Sequence, residues 1–350
     1  MTSLIGETRQ ILTAPHSRRA VLAGGSALLA AGLTGCGHTL ESPNSILIAN
    51  ASGGLTMVMT QLMKQERFLE HFGLDADLMN IADGSRILGG IVGESLDCSL
   101  MSGFGQAFPA MERGSDMKII GGGILLPALA MFSGKPNVQS LKDLEGKAIG
   151  TGSIGALVYQ LTVTLLRKYG VDTSKIRFVN IGSSPDVFRA VSAGTVDAGL
   201  AQTALIDTAD EYHVHALPHG NLSEELPLYT YQGAWTSAKT IKERRETIVR
   251  AMAAYARMFR FVQEPANKAA FIRARRKAFS SASQADHEAE WHFIQTYKPF
   301  ATDLVIGPDR IEYIQKLNMA FGQQKSIVPF EQATDMSLAR DAIALLERHS

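Results

Sequence analysis

Val138-Gln139-Ser140-Leu141-Lys142-Asp143-Leu144-Glu145-Gly146-Lys147-Ala148-Ile149-Gly150-Thr151-Gly152-Ser153 is the stretch on which the fold turns. A polar turn at 140–147 leads into a short apolar strand at 148–151. Gly152-Ser153 then forms a corner, and a helical pattern fills 154–169. The same order repeats on both sides. Upstream, strands are expected at 46–49, 74–81, 96–101 and 117–121, with corners at Asn50-Ala51-Ser52-Gly53-Gly54, Asp83-Gly84-Ser85 and Ser102-Gly103. The first of these strands leads into a helical pattern at 55–70. Downstream, strands at 176–181 and 196–200 turn at Gly182-Ser183-Ser184 and Gln202-Thr203. Strands separated by helical segments imply parallel βαβ units. A faint echo links the two halves: 93–97 and 194–197 both end in Gly-to-Asp steps before a short apolar strand. From 241 onward the chain is charged and helical, with runs near 241–263, 265–278, 283–297, 308–322 and 335–348. This tail is expected to pack on the first half.

The N-terminus reads as an export signal. Arg18-Arg19 is followed by an Ala/Gly/Leu run over 20–34, too short to span a bilayer, which takes roughly 20 apolar residues. Ser17-Arg18-Arg19-x-x-Leu22 resembles a twin-arginine signal, and Leu33-Thr34-Gly35-Cys36 resembles a lipobox. The expectation is cleavage after 35, a lipid on Cys36 and a linker over 36–44. The alternative is a frayed helix with an ordinary cysteine.

Composition narrows the function classes. Without 1–35, 315 residues remain, enough for two lobes. Lys+Arg and Asp+Glu are balanced at 34 each, which argues against nucleic acid as a partner. Lipidation of Cys36 leaves Cys98 without a pairing partner, and its apolar setting reads as a small buried hydrophobe.

The 138–150 stretch resembles a signature of solute-binding proteins of ABC importers, in the nitrate/sulfonate/taurine group that also holds pyrimidine-precursor binders. Phe68-Leu69-Glu70-His71-Phe72-Gly73-Leu74, Ala193-Gly194-Thr195-Val196-Asp197-Ala198 and Thr236-Ser237 before a long helix match that group in order. The resemblance implies an α/β, two-lobed periplasmic binding protein of type II, each lobe a mostly parallel sheet flanked by helices. Lobe 1 would comprise 45–126 and 236–350, and lobe 2 would comprise 127–235. Two hinge crossings would lie near 124–133 and 228–237. It also implies a small-molecule ligand, ABC permease and ATPase subunits as partners, a monomer and no cofactor.

Ligands of open α/β sheets bind beyond the carboxyl ends of the strands. The candidate contacts are therefore Ser52, Gly53, Asp83, Ser85, Ser102, Phe104, Gly152, Ser153, Ser183, Ser184, Gln202 and Thr203, with Trp235 as an aromatic wall on a crossing. Tyr159, Tyr229 and Tyr231 are further wall candidates. Helix N-termini aimed into one space favour a negative ligand, so a small carboxylate or sulfonate needs no lysine or arginine. Ser, Thr and Gly are also ordinary caps and turn residues, so each corner alone has a purely local explanation. Asp83 either caps the following helix or meets an amine on a zwitterionic or aminopyrimidine ligand. An enzyme reading finds little support: Gly-x-Ser-x-Gly, phosphate-loop and His-Glu-x-x-His motifs are missing. The pyrimidine-synthesising enzymes of this fold carry a cysteine cluster and iron, which Cys98 cannot supply. His213-x-His215 with His219 is the tightest histidine set, read as solvated imidazoles on an edge strand or a surface zinc site. No metal is assigned.

Overall fold

The computed structural model describes residues 42–154 and 156–349. The export signal, Arg18, Arg19 and the lipobox with Cys36 lie outside them.

Two sheets organise the described chain. The first takes strands β1 (Ser45–Ala51), β2 (Asp75–Ile81), β3 (Ser99–Ser102) and β4 (Met117–Ile124). The second takes β5 (Leu129–Ser133), β6 (Ala148–Thr151), β7 (Arg177–Asn180), β8 (Ala198–Gln202) and β9 (His215–Asn221). A last strand, β10 (Gln232–Ser237), returns to the first sheet and runs antiparallel between β3 and β4. A parallel bridge from Ile48 to Cys98 joins β1 to β3, giving the order β2-β1-β3-β10-β4. The second sheet is ordered β7-β6-β8-β5-β9, with β5 antiparallel to both neighbours. The two sheets thus share one plan. Each takes its antiparallel strand from the segment that has just crossed from the other sheet, at 125–128 and at 226–231. The second crossing lies slightly ahead of the expected 228–237, because Gln232 already pairs with Ile124.

The faint sequence echo has a physical basis. The Asp97 carboxylate accepts the Leu47 N–H at 2.7 Å, and Asp97 N–H donates to the Leu47 carbonyl at 3.1 Å. In the second sheet the Asp197 carboxylate accepts Ala148 N–H at 2.8 Å, and Asp197 N–H donates to the Ala148 carbonyl at 2.8 Å. In both halves an aspartate ahead of the third strand clamps the start of the first. A half-buried cation, Arg244, holds Asp97 at 2.5 Å.

Helices α1 (Gly54–Gln65), α2 (Phe68–His71), α3 (Gly84–Val92) and α4 (Ala107–Glu112) accompany the first sheet; α5 (Leu157–Lys168), α6 (Ser184–Ser192) and the short α7 (Leu222–Glu225) accompany the second. The helix expected over 55–70 breaks at Arg67, which takes a left-handed φ of 52° between α1 and α2. The tail forms α8 (Ala238–Gln263), α9 (Lys268–Ala278), α10 (Gln284–Tyr297), α11 (Pro308–Ala320), α12 (Phe330–Ala333) and α13 (Ser337–Arg348). The small residues Ala251, Ala253, Ala254 and Ala256 let α8 approach its neighbours closely, and all four are buried. As expected, α8, α9 and α13 pack with the first half. In addition, α10 lies against the 3-10 run Thr203–Tyr212 of the second half. Asp286, buried on α10, accepts from Thr208 Oγ1 at 2.7 Å and from the Tyr212 hydroxyl.

Candidate functional site between the two sheets

The corner Ala51-Ser52-Gly53-Gly54 starts α1, and Gly53 caps it through backbone alone. No side chain accepts from the first-turn N–H groups there, so these donors and the positive end of the helix dipole stay open. Three residues from other elements converge on them. The Tyr231 hydroxyl lies 3.8 Å from where a Cβ on Gly53 would stand, and burial pushes its pKa up to about 12, so it remains a donor. The Gln202 carboxamide, from the end of β8, fills the space a Gly54 side chain would occupy. Thr56 Oγ1 donates to Gln232 Oε1 at 2.8 Å, tying α1 to β10.

Polar atoms without partners gather at the crossings. Gln202 Nε2, Thr203 Oγ1 and Thr230 Oγ1 are buried and accept or donate no hydrogen bond. Thr203 N–H bonds the Ala128 carbonyl at 3.1 Å on the first crossing, and Thr230 sits on the second. Each such orphan costs about 1–3 kcal/mol. Thr164 Oγ1 on α5 and Arg250 Nε on α8 are the other such atoms among the described residues.

A second corner, Gly103–Gly105, meets the start of α5. A Cβ on Gly103 would stand 3.3 Å from Leu157 and 3.9 Å from the Tyr231 carbonyl. Like α1, α5 begins without a side-chain cap, at Ala156. Gln160 on α5 joins a buried amide chain: its Nε2 donates to Asn318 Oδ1 at 3.3 Å and to Gln323. Asn318 donates to the Gly105 carbonyl at 2.8 Å and to Gln324 at 3.3 Å, and Gln324 donates to Gln315 at 2.7 Å. Neutral donors, two uncapped helix starts and a buried amide chain therefore meet where elements of the two sheets approach.

The expected contacts divide into three groups. Ser52, Gly53, Gln202 and Thr203 are brought together at the start of α1 or at the crossing beside it. A Cβ on Gly152 would stand 3.3 Å from the Gly182 carbonyl, Ser153 accepts from Asn180 at 3.3 Å, Ser183 is engaged in a capping box with Asp186, and Ser184 is buried. Of these, Ser153 and Ser183 have side chains already engaged. The third group is engaged in caps or in the core. Asp83 is exposed and accepts Ser85 N–H at 2.8 Å, so the capping alternative holds and Ser85 is exposed beside it. Trp235 is fully buried in β10, its indole N–H donating to Ser102 Oγ at 2.8 Å, and Ser102 is paired with Ser99. Phe104 is fully buried against Phe108 and Gly233. Ser102, Phe104 and Trp235 belong to the core instead of a cleft wall, because β10 is buried on both faces and flanked by β3 and β4. Tyr159 stacks edge-on to Phe178 and Phe321, and Tyr229 to Tyr313.

Thr230, Thr56, Gln232 and Gln160 were missed from sequence. Thr230 stands in an aromatic segment with no corner signature, and a lone glutamine in a helix gives no signal of its partner. The histidines form no common face: His213 has a left-handed φ of 55° ahead of β9, His215 bonds the Val138 carbonyl at 2.7 Å, and His219 pairs with Glu225 at 3.2 Å. Cys98 is buried, with its thiol pKa raised well above the ordinary value by burial and then by Asp97.

The sequence profile of the NMT1/THI5 like family matches residues 64–269, more than half of the chain. No curated protein matches the sequence. Solved structures share the fold. The alkanesulfonate-binding protein SsuA of Xanthomonas axonopodis pv. citri, bound to MOPS, is 18% identical with a TM-score of 0.68, covering 84% of this chain and 98% of its own. The periplasmic aliphatic sulphonate-binding protein SsuA of Escherichia coli is 16% identical with a TM-score of 0.65, covering 84% and 92%. The desulfurization enzyme DszB is 13% identical with a TM-score of 0.62, covering 88% and 100%. These likenesses place the chain in the two-lobed α/β fold of periplasmic binding proteins.

Proposed function

The chain belongs to the NMT1/THI5 like family, and on that premise we propose that it is the extracytoplasmic solute-binding component of an ABC importer. It captures a small organic anion, a sulfonate or carboxylate, between its two sheets and delivers it to a permease. The observation that carries this reading is the open start of α1 faced by the unpartnered Gln202 amide and the Tyr231 hydroxyl. An anionic oxygen placed there accepts from the backbone N–H groups and from Gln202 or Tyr231 at once. It would satisfy donors that the protein alone leaves unmet. The fold neighbours that bind sulfonates support the choice of chemistry.

Binding is favoured over catalysis, although a desulfurization enzyme shares the fold. Cys98 is enclosed in the core and its thiol is held protonated, so it offers no nucleophile to the cleft. An aromatic or aminopyrimidine ligand is the second reading, supported by the buried Tyr231 beside the start of α1. In this proposal 45–126 and 236–350 form lobe 1, 127–235 forms lobe 2 apart from the β10 residues, and the protein acts as a monomer. Among the described residues no helix is long and apolar enough to cross a membrane. The Leu33–Cys36 box would supply the anchor, and a Cys36→Ser variant should leave the membrane fraction.

The test is mass spectrometry of ligand released from protein purified without refolding, followed by calorimetry against sulfonates, aromatic carboxylates and aminopyrimidines. Binding of cations alone would refute the anion site.

A further inference from the structure

Gln202 lies where the proposed ligand should. Its backbone is fixed as the last residue of β8, paired with Leu129 of β5. From there the side chain reaches across to α1 and its carboxamide fills the volume left by Gly54. The contact is possible only because residue 54 lacks a Cβ. The amide nitrogen is wholly buried and has no acceptor. What it meets is the start of α1, which offers further donors and no capping oxygen. Turned over about its last torsion, the same amide would present Oε1 to those N–H groups as a weak, neutral acceptor. In either orientation it occupies the space and leaves the electrostatics of the helix start incompletely answered.

We infer that Gln202 is a resident plug and the specificity-determining residue of the site: its carboxamide stands in for the acidic group of the ligand, and a ligand binds by displacing it. The inference rests on the anion-site reading above. A neutral solute gains little by exchanging one neutral amide for another. An anion gains the helix dipole and several charge-assisted hydrogen bonds, so the plug selects for charge. Gly54 and Gln202 act as one unit, since a side chain at 54 would expel the amide.

Two variants separate this role from general packing. Gln202→Glu keeps the shape and places a carboxylate at the start of α1. It should raise the melting temperature of the unliganded protein by about 1–4 °C at pH 7. The gain should disappear in acid, once the carboxyl is protonated. Gln202→Ala removes the plug and should bind MOPS, ethanesulfonate or benzoate roughly tenfold tighter than wild type in calorimetry, while the Glu variant loses that binding. Gly54→Ala supplies a check that leaves residue 202 intact: the methyl takes the volume shared by the amide and the ligand's acidic group, so it should expel the amide and lower anion affinity at least tenfold. A Gln202→Glu protein melting at or below wild type overturns the plug, as does unchanged anion affinity in both alanine variants. If Glu stabilises but neither wild type nor Gln202→Ala binds any of the three probes, the plug stands and the anion reading falls.

Discussion

Replacing Glu290 with Gln removes the negative partner from a cation that has nowhere to go. Arg275 on α9 and Glu290 on α10 have side chains only 5% and 2% exposed, with Nε and Oε2 2.5 Å apart. Arg275 also donates to His287 Nδ1 at 2.6 Å and lies 5.8 Å from the centre of the Phe279 ring. At an effective dielectric near 20 and a charge separation of about 4 Å, the attraction is roughly 4 kcal/mol. Desolvating each ion costs several kcal/mol, so the pair as a whole contributes little net stability. Taking away one member leaves the other buried and uncompensated, at a cost of about 3–5 kcal/mol. For a chain of this size that corresponds to a fall in Tm of roughly 6–10 °C. Glu290→Gln and Arg275→Met should each show such a fall in calorimetric melting. The double variant Arg275→Met/Glu290→Leu should lie closer to wild type than either. A Glu290→Gln protein melting within 1 °C of wild type, or a double variant losing the sum of the two singles, would refute the description of this pair as a mutually dependent buried unit.

Trp235→Phe should cost about 2–3 kcal/mol through lost volume and the lost bond to Ser102, while leaving the affinity for any bound anion unchanged in calorimetry. Gly199→Ala places a methyl 3.0 Å from the Gly150 carbonyl and into Val187 at the centre of the second sheet; a loss of about 1–3 kcal/mol in urea melts is expected. His287 has its pKa held below the ordinary 6.5, first by burial and then by Arg275. The unfolded chain therefore binds that proton more readily, so the stability contributed by the neutral ring is complete above about pH 6.5 and lost as pH falls toward the lower folded value. Glu290, whose pKa is raised first by burial, works in the opposite sense. His287→Gln should flatten the acid-side decline in Tm between pH 7 and pH 5. Cys98 should resist thiol-alkylating reagents in the native protein and react fully in denaturant, as read by peptide mass mapping.

Strands and corners were legible because glycine, serine and apolar runs mark them directly. The strand at Ala148–Thr151 and the helices at Gln284–Tyr297 and Pro308–Ala320 fall where patterning places them, within a residue or two. The break at Arg67 was not legible, since arginine carries no preference for the left-handed region. For the candidate site, the sequence pointed to the α1 corner and Gln202 but carried no sign that β10 is buried on both faces. Trp235 therefore read as a wall when it is core. Asp83 and Ser85 illustrate the same limit: a capping residue and a ligand contact use the same chemistry, and only exposure separates them. The amide chain from Gln160 to Gln315 joins residues more than 150 positions apart, a proximity that no local pattern encodes.

The late arrival of β10 imposes an order on biogenesis. The second sheet draws every strand from residues 129–221 and can close as soon as these have left the ribosome. The first sheet, though it begins at residue 45, lacks its central antiparallel strand until 232–237 emerges. Its early strands must wait with unpaired edges through the synthesis of the whole second half. The first sheet is therefore the last to reach its final pairing, and between the synthesis of 124 and 232 the edge of β4 that β10 will cover stays open to mispairing.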